Sequence, residues 1–151
     1  MSDDAAVTGG CLCKKVRYSA GRPPIMARYC WCRLCQYLSA GGPTVNAFFH
    51  AGDFEVSGEV RWFGGIADSG NEVSRGFCPT CGTPLFAKSS ARTQFIVARV
   101  GSLDDPNLIA PGVSIWTSER LLNGPSSIPI YRRSRGSLRR LREHGPPAAG
   151  G

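Results

Sequence analysis

The sequence predicts a mainly β domain of small antiparallel sheets stapled by zinc, with few short helices and a flexible basic C-terminal tail. Three observations carry that expectation. Short runs rich in branched and aromatic residues alternate with Gly, Pro, Asp or Ser turns, seven cysteines fall in three clusters, and apolar content drops from about Ser134 onward. A chain of 151 residues has the length of about one domain. We expect a folded domain over residues 1–131 and a basic Pro/Gly-rich tail over residues 132–151, whose HGPPAAGG end cannot bury enough surface to order itself.

The first strand signal is the alternation of Val16 and Tyr18 with polar neighbours. Further runs follow at Ile25 to Tyr29, Val45 to Phe49, Phe54 to Val56, Val60 to Phe63, Pro84 to Ala87 and Phe95 to Val100. Helical pattern is confined to Arg33 to Leu38 just after Cys32, a turn near Ser118 to Leu122, and Leu138 to Glu143 in the tail. No repeat recurs at a fixed period.

Composition narrows the function classes. The first twenty residues contain no basic start leading into an apolar run, and no stretch approaches the roughly 18 apolar residues that span a bilayer. A cytoplasmic protein with no membrane partner is expected. In a reducing compartment, clustered thiols persist as metal ligands or catalytic groups, and an odd count suits a disulfide framework poorly. The formal charge of +7 falls to +4 once seven thiolates and two zinc ions are counted. Much of the excess is local, at Arg132, Arg133, Arg135, Arg139, Arg140 and Arg142. Such a run reads first as a solvated tail and second as a contact for nucleic acid.

The cysteines carry the chemistry. Cys78 and Cys81, two residues apart with Gly82 behind, have the spacing of a zinc knuckle, in which a tight turn brings two thiolates about 2.3 Å from one metal. Cys11 and Cys13 sit at strand period, leave the same face, and can complete a four-thiolate site. On its own that pair also fits two small buried hydrophobes. Cys30, Cys32 and Cys35 offer three ligands from a single loop, and three is the number that leaves a zinc coordination position for a substrate. Three thiolates make zinc a weak Lewis acid, less suited to activating water than to holding an incoming thiol as a nucleophilic thiolate. A zinc-ribbon pairing of Cys32/Cys35 with Cys78/Cys81 would strand three thiols. Its 42 intervening residues exceed the roughly 15 to 20 usual for a ribbon, so spacing disfavours that partition without removing it.

Around the middle cluster, Trp31 is placed to cover an open metal position, and Arg28 and Arg33 to offset the site's charge or bind a substrate carboxylate. His50 and His144 are too isolated to serve as ligands, Asp104 and Asp105 read as a turn, and Trp62 and Trp116 as core or pocket-wall aromatics. Nothing resembles a phosphate-cradling loop or a nucleophile elbow.

The segments GGCLCKKVRY, CWCRLC, RGFCPTCGTPLF and GSLDDP, in that order, resemble the glutathione-dependent formaldehyde-activating enzyme family, whose domain is shared with centromere protein V. The resemblance spans about residues 9 to 131. It implies a mostly β zinc fold with a closed zinc on Cys11, Cys13, Cys78 and Cys81. A second zinc is implied on Cys30, Cys32 and Cys35, where a thiol such as glutathione binds. The sequence departs from the family pattern at Trp31, where His is common, and at Val113 to Trp116, where a His often precedes an apolar pair. Both departures touch the pocket rather than the ligands.

The expected activity is thus that of a carbon–sulfur lyase or synthase with two zincs per chain, in which Cys30, Cys32 and Cys35 serve a thiol that adds to, or leaves, a small aldehyde such as formaldehyde. The competing reading is a non-catalytic, zinc-stabilised binding module whose basic tail contacts nucleic acid or a protein partner. A thiol reductase would need a redox-active cysteine beyond the two sites, and all seven are allotted.

Overall fold

The computed structural model of the chain describes residues 6–121. The tail arginines, the helical pattern expected at Leu138 to Glu143 and the expected domain limit at residue 131 lie outside the described residues. Among the described residues, ten strands build two sheets. Strands β1 (Val7–Gly10), β2 (Arg17–Ala20) and β5 (Phe54–Ser57) form one in the order β1-β2-β5. The other contains β3 (Met26–Cys30), β4 (Thr44–His50), β6 (Arg61–Ile66), β7 (Glu72–Phe77), β8 (Pro84–Ser89), β9 (Phe95–Arg99) and β10 (Val113–Ile115), in the order β10-β3-β4-β9-β8-β7-β6. Every pairing is antiparallel except that of β10 with β3. One α-helix, α1 (Arg33–Leu38), follows β3, and single 3₁₀ turns occupy Ala51–Asp53, Val100–Ser102 and Thr117–Glu119. Among the described residues no helix is long and apolar enough to cross a membrane.

Side chains alternate across a strand, so the register of the larger sheet sorts its residues onto two faces with different tasks. One cross-strand row runs Ala27, Ala47, Ala98, Phe86, and these residues are buried with Phe49 and Ile96. Three alanines abreast leave room for aromatic rings from the smaller sheet. Tyr18 of β2 stacks on Phe54 of β5 with centroids 5.1 Å apart and meets Phe86 edge-on at 5.2 Å. The Tyr18 hydroxyl lies 2.8 Å from the Ser102 Oγ, which donates to the Arg99 carbonyl at 2.7 Å, so both hydroxyls carried into this core are satisfied. Gly9 of β1 has no alternative at its position, because a Cβ there would lie 2.3 Å from the Tyr18 ring.

The opposite face of the larger sheet carries a second row, Arg28, Asn46, Arg99, flanked by Phe48, Val97, Ala87 and Arg75. These residues floor a cavity of about 370 Å³. The strand alternation that builds the core on one side therefore builds a basic pocket on the other.

Candidate metal centres

Cys11 opens the turn between β1 and β2. Its backbone N–H donates to the Val16 carbonyl at 3.0 Å and its carbonyl accepts from Lys14 at 3.0 Å, with Lys14 in the left-handed region at φ 64°. The Cys78–Cys81 turn between β7 and β8 is built alike. Gly82 N–H donates to the Cys78 carbonyl at 2.9 Å, and its φ of 71° supplies the left-handed step that glycine takes without a Cβ clash. Leu12 N–H donates to the Thr83 Oγ1 at 3.2 Å and ties the two turns together.

The four sulfurs of Cys11, Cys13, Cys78 and Cys81 lie within 4.8 Å of one another. Cys11 and Cys13 are 3.5 Å apart and Cys13 and Cys78 3.8 Å. A tetrahedron with bonds near 2.3 Å has corners about 3.8 Å apart, so the set is the right size for zinc. Val16 N–H donates to the Cys11 sulfur at 3.2 Å. The Thr83 hydroxyl lies 3.0 Å from the Cys81 sulfur and, with the Thr83 backbone, holds that thiol well below its ordinary range, at about 5. Donors aimed at sulfur favour the thiolate that a metal needs.

Cys30 ends β3, Cys32 caps the N-terminus of α1 and Cys35 sits inside it. A strand running directly into a helix lets three thiols within six residues converge, and their sulfurs also lie within 4.8 Å of one another. Gln36 fixes the loop. Buried to 2 % exposure, it donates from Nε2 to the Trp31 and Glu119 carbonyls, each at 2.6 Å, and accepts from Arg33 Nη1 at 2.5 Å. The Cys35 thiol is drawn down to about 5, first by its hydrogen bond with Cys30, with help from Thr44 and the charge of Arg99 against the opposing effect of burial. Cys30 moves the other way, raised first by its hydrogen bond with Cys35 and then by burial.

The two clusters differ in what surrounds them. Cys30, Cys32 and Cys35 line the 370 Å³ cavity, whereas the Cys11, Cys13, Cys78 and Cys81 set does not. Each set could hold a metal ion, and the three-thiol set faces a space large enough for a small molecule.

Sequence and structure part company over what else lines that space. Arg28 lines the cavity, its guanidinium 4.7 Å above the Phe48 ring. Arg33 does not, being turned toward Gln36 and the ring of Tyr37, 5.2 Å away. Trp31 is also off the cavity wall. Its indole donates to Ser114 Oγ at 3.0 Å, and Arg120 stacks 4.7 Å over its ring. The wall tryptophan is Trp116, held at φ 55° in a left-handed conformation that a bulky residue rarely adopts. Asn46, Arg75, Arg92 and Arg99 were not singled out by sequence. The available signal was the alternation Phe95, Val97, Arg99, which puts an arginine on the same face as two apolar residues. Asp104 accepts from Thr8 at 2.6 Å and from Arg17 at 2.9 Å, away from both clusters.

Residues 6–119 match the family described as glutathione-dependent formaldehyde-activating enzyme. A crystal structure of a Rhodobacter sphaeroides protein superposes with a TM-score of 0.56 at 18 % identity, covering 71 % of this chain and 98 % of that one, a likeness of fold. No curated protein matches the chain.

Proposed function

The chain belongs to the glutathione-dependent formaldehyde-activating enzyme family, and from that premise we propose that it is a zinc-dependent enzyme of carbon–sulfur chemistry, joining a thiol such as glutathione to a small aldehyde or releasing it in reverse. The observation that carries this reading is the unequal setting of the two cysteine sets: four thiols closed on one another, three thiols at the wall of a cavity. Cys11, Cys13, Cys78 and Cys81 would hold a structural zinc. Cys30, Cys32 and Cys35 would hold a second, which when bound supplies a vacant position where an outside thiol loses its proton and stays nucleophilic.

The protein's own groups prepare the rest. Hydrogen bonds with Cys30 and Thr44 and the charge of Arg99 favour the Cys35 thiolate, the form a metal takes up. Arg28 and Arg99 place positive charge beside the sulfurs and draw an anionic substrate into the cavity. Leu34, Phe48 and Trp116 supply apolar wall, and confinement of both reactants there replaces an encounter in solution by proximity.

The test is the rate at which formaldehyde and glutathione combine in the presence of the zinc-loaded protein and of its Cys35→Ser variant. The expected result is acceleration by the wild type and a background rate with the variant, together with the loss of one zinc per chain. Equal rates would overturn the proposal.

A further inference from the structure

Four arginines, Arg28, Arg75, Arg92 and Arg99, line the cavity together with a single carboxylate, Asp68. Lys88 also borders it, but its ammonium is 4.7 Å from the Trp62 ring. Among the described residues none of the four arginines forms an ion pair with a carboxylate, whereas Arg17, Arg22 and Arg61 each do. The Nε atoms of Arg28 and Arg99 are buried without any hydrogen-bond partner. The three thiols and Asp68 offset part of this charge, and four guanidiniums around one cavity leave it positive, a setting that suits an anionic ligand.

Position bears on which molecule carries that anion. Arg28 and Arg99 are the two cross-strand neighbours of Asn46, one from β3 and one from β9, and Arg99 Nη1 donates to the Asn46 amide oxygen. Arg28 precedes Cys30 by two residues on the same face of β3, a rise of about 7 Å, and Thr44 beside Cys30 precedes Asn46 in the same way on β4. The row therefore adjoins the thiol cluster. A tripeptide thiol such as glutathione carries its carboxylates at its two ends, several bonds from its sulfur. Arg75 on β7, two strands or about 10 Å beyond β9, also lines the cavity and offers one of them a separate partner. The row next to the sulfurs suits a carboxylate carried by the group that reacts with them, and a thiol lacking any carboxylate separates this source from the thiol's own.

We infer, building on the reading given under Proposed function, that the Arg28, Asn46, Arg99 row binds a carboxylate on the carbon electrophile itself, which makes the preferred electrophile a short 2-oxo acid rather than neutral formaldehyde. In the forward step the thiolate sulfur bonds to the carbonyl carbon, the C=O π pair moves onto oxygen, and that oxygen takes up the proton the thiol released. The product is a thiohemiacetal or thiohemiketal carrying a carboxylate. Nothing is oxidised or reduced. The adjacent guanidiniums hold the carboxylate against the sheet floor and fix the carbonyl carbon next to the three sulfurs.

The test uses the zinc-loaded full chain in two measurements. Calorimetric titration with oxamate, an unreactive mimic of a 2-oxo acid, should show saturable binding that neutral acetamide lacks. Arg28→Gln and Arg99→Gln should each weaken it about tenfold or more with zinc content unchanged. Turnover is then compared for glyoxylate and formaldehyde, with glutathione and with cysteamine, a thiol without a carboxylate. The expected result is a preference for glyoxylate with both thiols, lost in Arg28→Gln, the more exposed of the two arginines, should Arg99→Gln fail to fold. Formaldehyde turnover with no preference for glyoxylate overturns this inference and leaves the carbon–sulfur reading standing. An arginine effect seen with glutathione but absent with cysteamine assigns the row to the thiol and likewise overturns it. Absence of thiol-dependent turnover with either electrophile removes the carbon–sulfur reading and the inference with it.

Discussion

The sulfur of Cys13 lies 3.8 Å from that of Cys78, although 65 positions separate them in the chain. That contact fastens the β1–β2 turn of the smaller sheet to the β7–β8 turn of the larger one, and a metal there would clamp two elements that otherwise meet through packing and a few hydrogen bonds. Cys78→Ser should therefore lower stability by several kcal/mol, about 10 °C or more in Tm, because it removes a ligand and leaves a hydroxyl in a fully buried site. A chelator should reproduce the loss in the wild type and add little in the variant. Thermal unfolding with and without chelator checks both statements, and a Cys35→Ser control should fall by less, since that thiol lies on a six-residue helix at the cavity.

Gly9 and Tyr18 give a second prediction. A methyl group at Gly9 would begin 2.3 Å from the Tyr18 ring and 2.5 Å from the Ser102 carbonyl oxygen, and neither can withdraw. The ring is wedged against Phe54 and Phe86, and its hydroxyl is tied to Ser102 in a buried setting that pushes its pKa up to about 12. Gly9→Ala should cost roughly 2 kcal/mol through forced repacking. The shift in the urea midpoint at constant slope measures it.

The same positions explain what the sequence made legible. Cysteine spacing located both thiol clusters, and the branched, aromatic runs located seven of the ten strands. Strand β1 escaped because its VTGG sequence carries glycines where Tyr18 and the turn leave no room for side chains, and glycine reads as a breaker. Strand β7 alternates Glu72, Ser74 and Gly76 with Val73, Arg75 and Phe77, so Arg75 interrupts the apolar face that would announce it. Strand β10 is three residues long and owes its form to its parallel pairing with β3. In the turn near Ser118 the observed element is the 3₁₀ turn Thr117–Glu119. At the pocket, sequence proximity to the CWCRLC motif singled out Trp31 and Arg33, but chain neighbours of a ligand point away from it as readily as toward it. Register across three strands brought Arg99 and Asn46 there instead, and register is a property of the assembled sheet.

Arg17, Thr8 and Asp104 make a pH-dependent brace between β1, β2 and the turn after β9. Bonds from Arg17 and Thr8 hold the Asp104 carboxyl at about 2, below the ordinary 3.8. A depressed folded-state pKa means that the stabilisation is fully present above the ordinary value and is lost as pH falls through the folded one. Both side chains are nearly half exposed, so the effect is small, roughly 0.5 kcal/mol. Asp104→Asn should flatten the acid limb of stability between pH 4 and pH 2, measured as Tm against pH, and leave Tm at neutral pH lower by about 1–2 °C.

The central claim, that one thiolate set is closed while the other admits a sulfur from outside, is tested most directly by cobalt substitution followed by titration with glutathione. Sulfur-to-cobalt charge-transfer absorption should change on adding glutathione to the wild type and stay constant in Cys35→Ser, with the bands of the Cys11, Cys13, Cys78, Cys81 set untouched in both. A wild-type spectrum indifferent to glutathione, or an identical response in Cys35→Ser, would contradict it.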